Sequence, residues 1–314
     1  MRVAFIGADP VGTVLATRLA AAGHDITVQA QGGRLWELRA FGMLVQEPSG
    51  GPLLTPPVSV VEALQQRRFD LVVLAGPDWT GDDVDLFGLP GSPPVAWLTR
   101  VPPPPAGSLR DRLQGRLVAL WPGFDATQTG PAVTCSLLPG RMCESAVGPL
   151  VGEPDQATRI CVAAIRLAGF RAAAQRDMQE YLESVATLTI PLAAARLAAA
   201  AQSSRLEDAP DLVTLAALAV CEGVRALRAR SVPLRWWWLR AVELLPDAGV
   251  VGVAHWVMSS RRGPLRATGL PLPSPGPCFR AGSELGLAAE KVGVAWAANR
   301  FLLQFAAEAA AHAA

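Results

Sequence analysis

The beginning of the chain constrains its fold more than any other stretch. An alternating apolar run, Arg2-Val-Ala-Phe-Ile-Gly7, meets a turn, Gly7-Ala-Asp-Pro-Val-Gly12. An apolar-periodic segment then runs from about Val11 to Ala22, ends at Gly23 and is followed by a second strand-like run, Asp25–Gln29. Period two, then period 3.6, then period two again reads as strand, helix, strand. Two strands joined through a helix lie parallel in one sheet with the helix on its face. A helix at about Arg34–Phe41, a strand-like stretch reaching about Val61, and apolar runs at Leu71–Ala75, Pro94–Thr99 and Arg116–Trp121 continue the alternation. The expected architecture is α/β, a doubly wound parallel sheet of Rossmann type.

From about Glu153 the pattern changes to long Ala/Leu/Arg/Glu segments of helical period, with breaks expected at Pro191, near Pro210, at Pro233 and across the Pro/Gly-rich stretch 264–277. A last strand, Arg171–Ala174, precedes a helix starting near Asp177. The boundary is therefore drawn between a Rossmann-like unit, 1–175, and a mostly helical unit, 176–314.

The turn carries a chemical anomaly. A dinucleotide fingerprint is G-x-G-x-x-G, in which the middle glycine lets a diphosphate approach the backbone at the helix N-terminus. Here Gly7 and Gly12 stand in place and Asp9 takes the middle position. A carboxylate adds bulk and negative charge where a diphosphate would sit. Asp9 followed by Pro10 also suits an N-cap, and in that reading too the carboxylate fills the anion position. After the second strand, where an acidic residue would hold a ribose, the sequence is Gln29-Ala-Gln-Gly-Gly-Arg34. Gly7, Asp9, Gly12 and Arg34 thus read as a vestigial cofactor site. No cofactor is the leading expectation, with NADP the alternative through Arg34, which reads equally as an exposed Arg at a helix start.

Charge excludes other partners. Lys plus Arg total 28 against 27 Asp plus Glu, so nothing draws the chain to nucleic acid or an anionic membrane, and a small molecule is favoured. No charged-then-apolar leader precedes the first strand and the Ala-rich run Leu192–Ala201 is short, so a cytoplasmic protein without a membrane segment is expected. The five cysteines are widely spaced with no metal-binding pairing, and read as buried reduced thiols.

Ile6-Gly-Ala-x-x-Val-Gly12, Leu19-Ala-Ala-Ala-Gly-His-Asp25 and Gly33-Arg-Leu-Trp-Glu-Leu-Arg-Ala-Phe-Gly42 follow one another in the order found in the ketopantoate reductases, which residues 1–125 resemble. Ile190-Pro-Leu-Ala-Ala194 is similar to that family's Asn-Pro-Leu-Thr-Ala segment, and Ser259-Ser-Arg261 echoes its Ser-Ser pair. The resemblance implies an NADP-dependent reductase, yet its working positions are substituted. The basic NADP contact falls on Gln31, a lysine on Pro77, an asparagine on Pro122, the catalytic lysine on Leu182, and two further asparagines on Ala186 and Ile190. A ketone reduction needs a proton donor at the oxygen and a nicotinamide against the carbon. Neither is supplied at these positions. Lys291, the only lysine, stands with Ala295 and Asn299 at the family's Lys–Asn–Asn spacing; the better reading puts Glu290 and Lys291 on a solvated helix face.

What remains is a cleft expected between the two units, with an apolar and aromatic lining: Trp79, Trp121, Leu182, Ala186, Ile190, Trp238, His255 and Trp256. Nine tryptophans against one tyrosine fit core packing as well, and three consecutive ones, Trp236–Trp238, cannot all face one way. Asp125, Tyr181 and Glu183 are the catalytic candidates, although Glu183 reads more readily as a solvated helix charge and His255 as a core residue. The expected function is a repurposed, cofactor-independent protein binding an apolar small molecule, of cyclase or isomerase type. Two alternatives stay open, an NADP-dependent reductase of altered range and a non-catalytic ligand-binding protein. A homodimer is a further expectation, since the C-terminal segment Phe301–Ala314 packs either on its own unit or on a second subunit.

Overall fold

The structure, a computed structural model, describes residues 1–47, 51–64, 67–76, 89–102, 113, 115–138, 143–259 and 275–313. Pro77, Trp79, Ser260 and Arg261 lie outside the described residues. The chain divides into two units: Met1–Thr99 with Pro104–Met178, and Arg100–Pro103 with Gln179–Ala314.

The first unit opens as its sequence predicts: β1 (Arg2–Ile6), α1 (Pro10–Ala21), β2 (Asp25–Gln29) and α2 (Gly32–Phe41). Short strands β3 (Leu44–Gln46), β4 (Leu53–Leu54) and β5 (Ser59–Val61) follow, then β6 (Leu71–Leu74), β7 (Val95–Leu98) and β8 (Leu117–Trp121). Every residue of β6, β7 and β8 is buried, which is why they read as unbroken apolar runs. The unit closes with β9 (Phe124–Thr129), β10 (Ala132–Leu137), β11 (Glu144–Pro149), α3 (Gln156–Leu167) and β12 (Arg171–Ala174).

Eight strands form one sheet in the order β12-β11-β8-β7-β6-β1-β2-β5. The sheet departs from the all-parallel expectation at β11, which runs antiparallel to β8. Between these two strands the chain makes the β9–β10 hairpin instead of a helical crossover, and without a crossover it returns antiparallel. The hairpin joins β3 and β4 in a second, four-stranded sheet that packs on α1. Its apolar side chains Phe124, Val133 and Cys135 share one core with Val14, Leu15 and Leu19 of α1. Phe124 stacks on Phe170 at 3.9 Å, with the Arg18 guanidinium over Phe170.

The second unit is helical: α4 (Met178–Ala201), α5 (Pro210–Ala229), α6 (Trp237–Leu244), α7 (Asp247–Ser259), α8 (Pro275–Lys291) and α9 (Ala297–Ala313). Close approach rests on small residues. A side chain added at Gly223 of α5 would lie 2.6 Å from Thr187 of α4, and one at Gly282 of α8 2.6 Å from Leu303 of α9. The break expected at Pro191 does not occur, and α4 runs through it. An internal proline costs about 3 kcal/mol, but Ile190, Ala193, Ala194, Ala195 and Ala198 around it are all buried, so packing outweighs the lost hydrogen bond. Pro210 starts a helix instead of ending one, at a position whose N–H is not needed.

Helix α4, at 24 residues, is long and apolar enough to cross a membrane by length and composition, which the sequence reading of short runs had missed; most of its apolar window is buried within the protein. Helix α9 packs on its own unit, with Leu302 and Ala306 fully buried against α4 and α5.

Candidate functional site: the glycine turn and the α4 face

The turn between β1 and α1 keeps its backbone. Gly7 has φ of 86°, a conformation that favours glycine. Gly12 allows the helix to meet the sheet, since a Cβ there would lie 2.3 Å from Cβ of Ala75. These are the structural roles of the first and third glycines of the fingerprint.

The middle position has changed its chemistry. Asp9 is the N-cap of α1, and its Oδ1 accepts a hydrogen bond from the Gly12 N–H at 2.6 Å. Pro10, the first helical residue, has no N–H to offer. Arg34 reaches back from α2: its Nε donates to the Ala8 carbonyl at 3.2 Å, one terminal nitrogen to Thr13 Oγ1 at 3.1 Å, and the other pairs with Glu37 at 2.6 Å. Each guanidinium nitrogen therefore has a partner in the turn, α1 or α2. Gln31 is the exposed N-cap of α2 and makes no side-chain capping bond.

In the helical unit, Leu182, Ala186 and Ile190 lie at most 1 % exposed. Ala186 and Ile190 pack with Val101, Ala193, Cys278 and Ala281, so this face of α4 belongs to a core cluster. Glu183, one residue from Leu182, is 7 % exposed and not solvated. It pairs with Arg230 at 2.9 Å and accepts from the Gln179 side-chain amide at 3.1 Å. Glu180 makes a parallel pair with Arg235. Tyr181 is buried.

The remaining expected site residues belong to different elements of the two units. Trp121 is fully buried at the end of β8, and Pro122 beside it is buried as well. The catalytic candidate Asp125 belongs to β9 of the second sheet, opposite Ser136. The turn at Pro122-Gly123 admits this new strand because a Cβ at position 123 would lie 2.5 Å from the Cys143 backbone, a space only glycine leaves open, and the Gly123 N–H donates to buried Ser145. Trp238 is half-buried and 5.3 Å from Trp236. On α7, Trp256 is 71 % exposed, while His255 Nε2 lies 2.9 Å from Thr214 Oγ1.

Sequence reasoning passed over Glu222, a lone acid on the apolar face of α5. Its carboxylate accepts from the N–H groups of Ala298 and Asn299 at 2.9 and 3.0 Å and so caps α9. The Asn299 amide donates to the Ala219 carbonyl, which gives Asn299 a structural role, while Glu290 and Lys291 are exposed. An acid in an otherwise apolar helical stretch was the available signal. Cys135, Cys161, Cys221 and Cys278 are buried, and burial pushes Cys161 and Cys278 to about 12 and Cys135 and Cys221 to about 11. Among the described residues no cluster of ligands for a metal ion occurs.

A Rossmann-type unit with an intact glycine-turn backbone, followed by a helical unit built on one long helix, defines a two-unit α/β-plus-helical fold. Residues 3–84 match the family described as ketopantoate reductase PanE/ApbA, and the chain as a whole is similar in fold to solved structures of that kind. The 2-dehydropantoate 2-reductase of Geobacter metallireducens GS-15 superposes with a TM-score of 0.72 at 17% identity, covering 98% of this chain and 100% of that one. A ketopantoate reductase-type protein from Ralstonia solanacearum MolK2 gives 0.70 at 16% identity, covering 99% and 98%. A D-mandelate dehydrogenase solved with NADH and anilino(oxo)acetate gives 0.67 at 13% identity, covering 98% of each. At such identities the likeness is one of fold. No curated protein matches the sequence significantly.

Proposed function

We propose that this chain is a ketopantoate reductase-fold protein that has left nicotinamide chemistry and works on an apolar small molecule by a non-redox route, of the cyclase or isomerase type. The observation that carries the reading is the Asp9 carboxylate bound to the Gly12 N–H at 2.6 Å. A dinucleotide diphosphate is held by N–H groups at this helix terminus. With one of them taken by a fixed anion and Pro10 offering none, the residues of the turn do not fit the diphosphate. Like charges a few ångströms apart would add a repulsion that Arg34, paired with Glu37, is poorly placed to cancel.

The α4 face supports the same reading. The position where the family resemblance puts a catalytic lysine is a fully buried leucine, and the asparagine positions are an alanine and an isoleucine inside a core cluster. No proton donor stands at any of them. The apolar character of the ligand is inferred from the loss of polar groups at these positions, since the side chains now there are core residues.

A second reading, an NADP-dependent reductase, draws on Arg34, whose guanidinium lies at the glycine turn, and on the NADH bound in the D-mandelate dehydrogenase of the same fold. Calorimetric titration with NADPH and NADH separates the two, using the native protein and Asp9→Gly side by side. The proposal expects no binding by the native protein and recovered affinity in the variant. Micromolar binding of NADPH by the native protein would sink it and would direct the work to ketone and imine substrates.

A further inference from the structure

A groove of about 620 Å³ lies wholly within the helical unit, where the turn Leu206–Asp208 leads into α5 and α9 passes over it. This volume falls in the range of small-molecule sites, about 300–1,000 Å³. Leu215 and Leu218 of α5 and Phe301 and Phe305 of α9 line it, with the carboxylates of Asp208 and Asp211. We infer that this groove binds an organic ammonium compound, a cationic amine joined to an apolar body.

Two independent features select that chemistry. The first is charge. No Lys, Arg or His is among the lining residues, and neither Asp208 nor Asp211 has an ion-pair partner among the described residues. Elsewhere in the same chain arginines pair with Glu37, Glu47, Glu180, Glu183, Glu243 and Asp247. Asp211, in the first turn of α5, offsets the positive end of that helix, and Asp208 adds the negative charge that draws a cation.

The second feature is aromatic. Phe301 is 63 % exposed, and its ring stacks with Phe305 at a centroid distance of 6.4 Å and an interplanar angle of 22°. The exposed ring and the leucines give the groove an apolar wall beside its carboxylates. Aromatic faces beside carboxylates attract an ammonium group through the ring quadrupole and through charge together. An anion would meet the carboxylates and be repelled; a neutral apolar molecule would gain from the phenylalanines alone. The leucines take the apolar body.

The site goes beyond the function proposed above, and it does not depend on the nicotinamide question. Calorimetric titration of the full chain with 4-phenylbutylamine, 4-phenylbutanol and 4-phenylbutyrate tests it directly. The amine is expected to bind at least about tenfold more tightly than the alcohol, with the acid weakest, and the preference should shrink as salt is raised. The double variant Asp208→Asn/Asp211→Asn should bring the amine down to the level of the alcohol. Phe301→Ala should weaken amine and alcohol alike with the melting temperature unchanged, because the ring is largely exposed. Failure of the amine to bind, equal binding of all three probes, or amine binding that survives both variants would overturn the inference. Nucleotide binding by the native protein, by contrast, would leave it standing.

Discussion

The glycine turn and the α4 face are the two places where the ketopantoate reductase resemblance puts working residues, and they have changed in different ways. At the turn the scaffold survives: Gly7 keeps its positive φ and Gly12 its contact with Ala75, while one side chain, Asp9, occupies the anion position. On α4 the replacement residues have become part of the core. A substitution that only fills a site can be undone by one reversal. A substitution absorbed into packing cannot, because the neighbours have closed around it.

Restoring lysine at the buried face gives the largest effect. Leu182→Lys places a charge at a position with no exposed surface, and an uncompensated buried charge costs about 3–5 kcal/mol. Urea denaturation should show a loss of that order with no gain of NADPH-dependent ketone reduction. A folded, normally stable variant would mean that the α4 face is as reversible as the turn.

Gly12→Ala comes next. The added methyl overlaps Ala75 and should cost about 1–3 kcal/mol by thermal or chemical melting, a loss that Ala75→Gly in the same chain should relieve. Absence of rescue would detach the third glycine from helix–sheet packing. The smallest effect is kinetic. Cys161 in the first unit and Cys278 against α4 titrate near 12, so at pH 8 both stay neutral and unreactive to iodoacetamide, whereas half-buried Cys143 should be modified in the native protein. Rapid labelling of Cys278 alone would show that the α4 cluster opens.

Much of the first unit was legible because its signals are local. Strands buried on both faces must be apolar throughout, a helix must start at a cap, and Asp9-Pro10 declares one. The β9–β10 hairpin was not legible, because its period-two pattern is carried by a few residues such as Val133 and Cys135, and its partner strand β3 lies far back in the sequence. Without the hairpin, the sequence could not assign Asp125 to a strand of the second sheet. The cap of α9 by Glu222 joins residues 76 apart in sequence, and no local pattern announces such a partner.

By itself the sequence determined the βαβ opening, the change to helices after the last strand, and the carboxylate at the anion position of the turn. Periodicity and capping act over a few residues, so the order of the chain records them. Tertiary structure alone decided that Pro191 continues a helix, that Glu183 belongs to Arg230, and that two unpaired carboxylates meet two phenylalanines at one groove. Each of these depends on which distant residue arrives alongside, and burial sets both the cost of leaving a group unpaired and the gain from packing it.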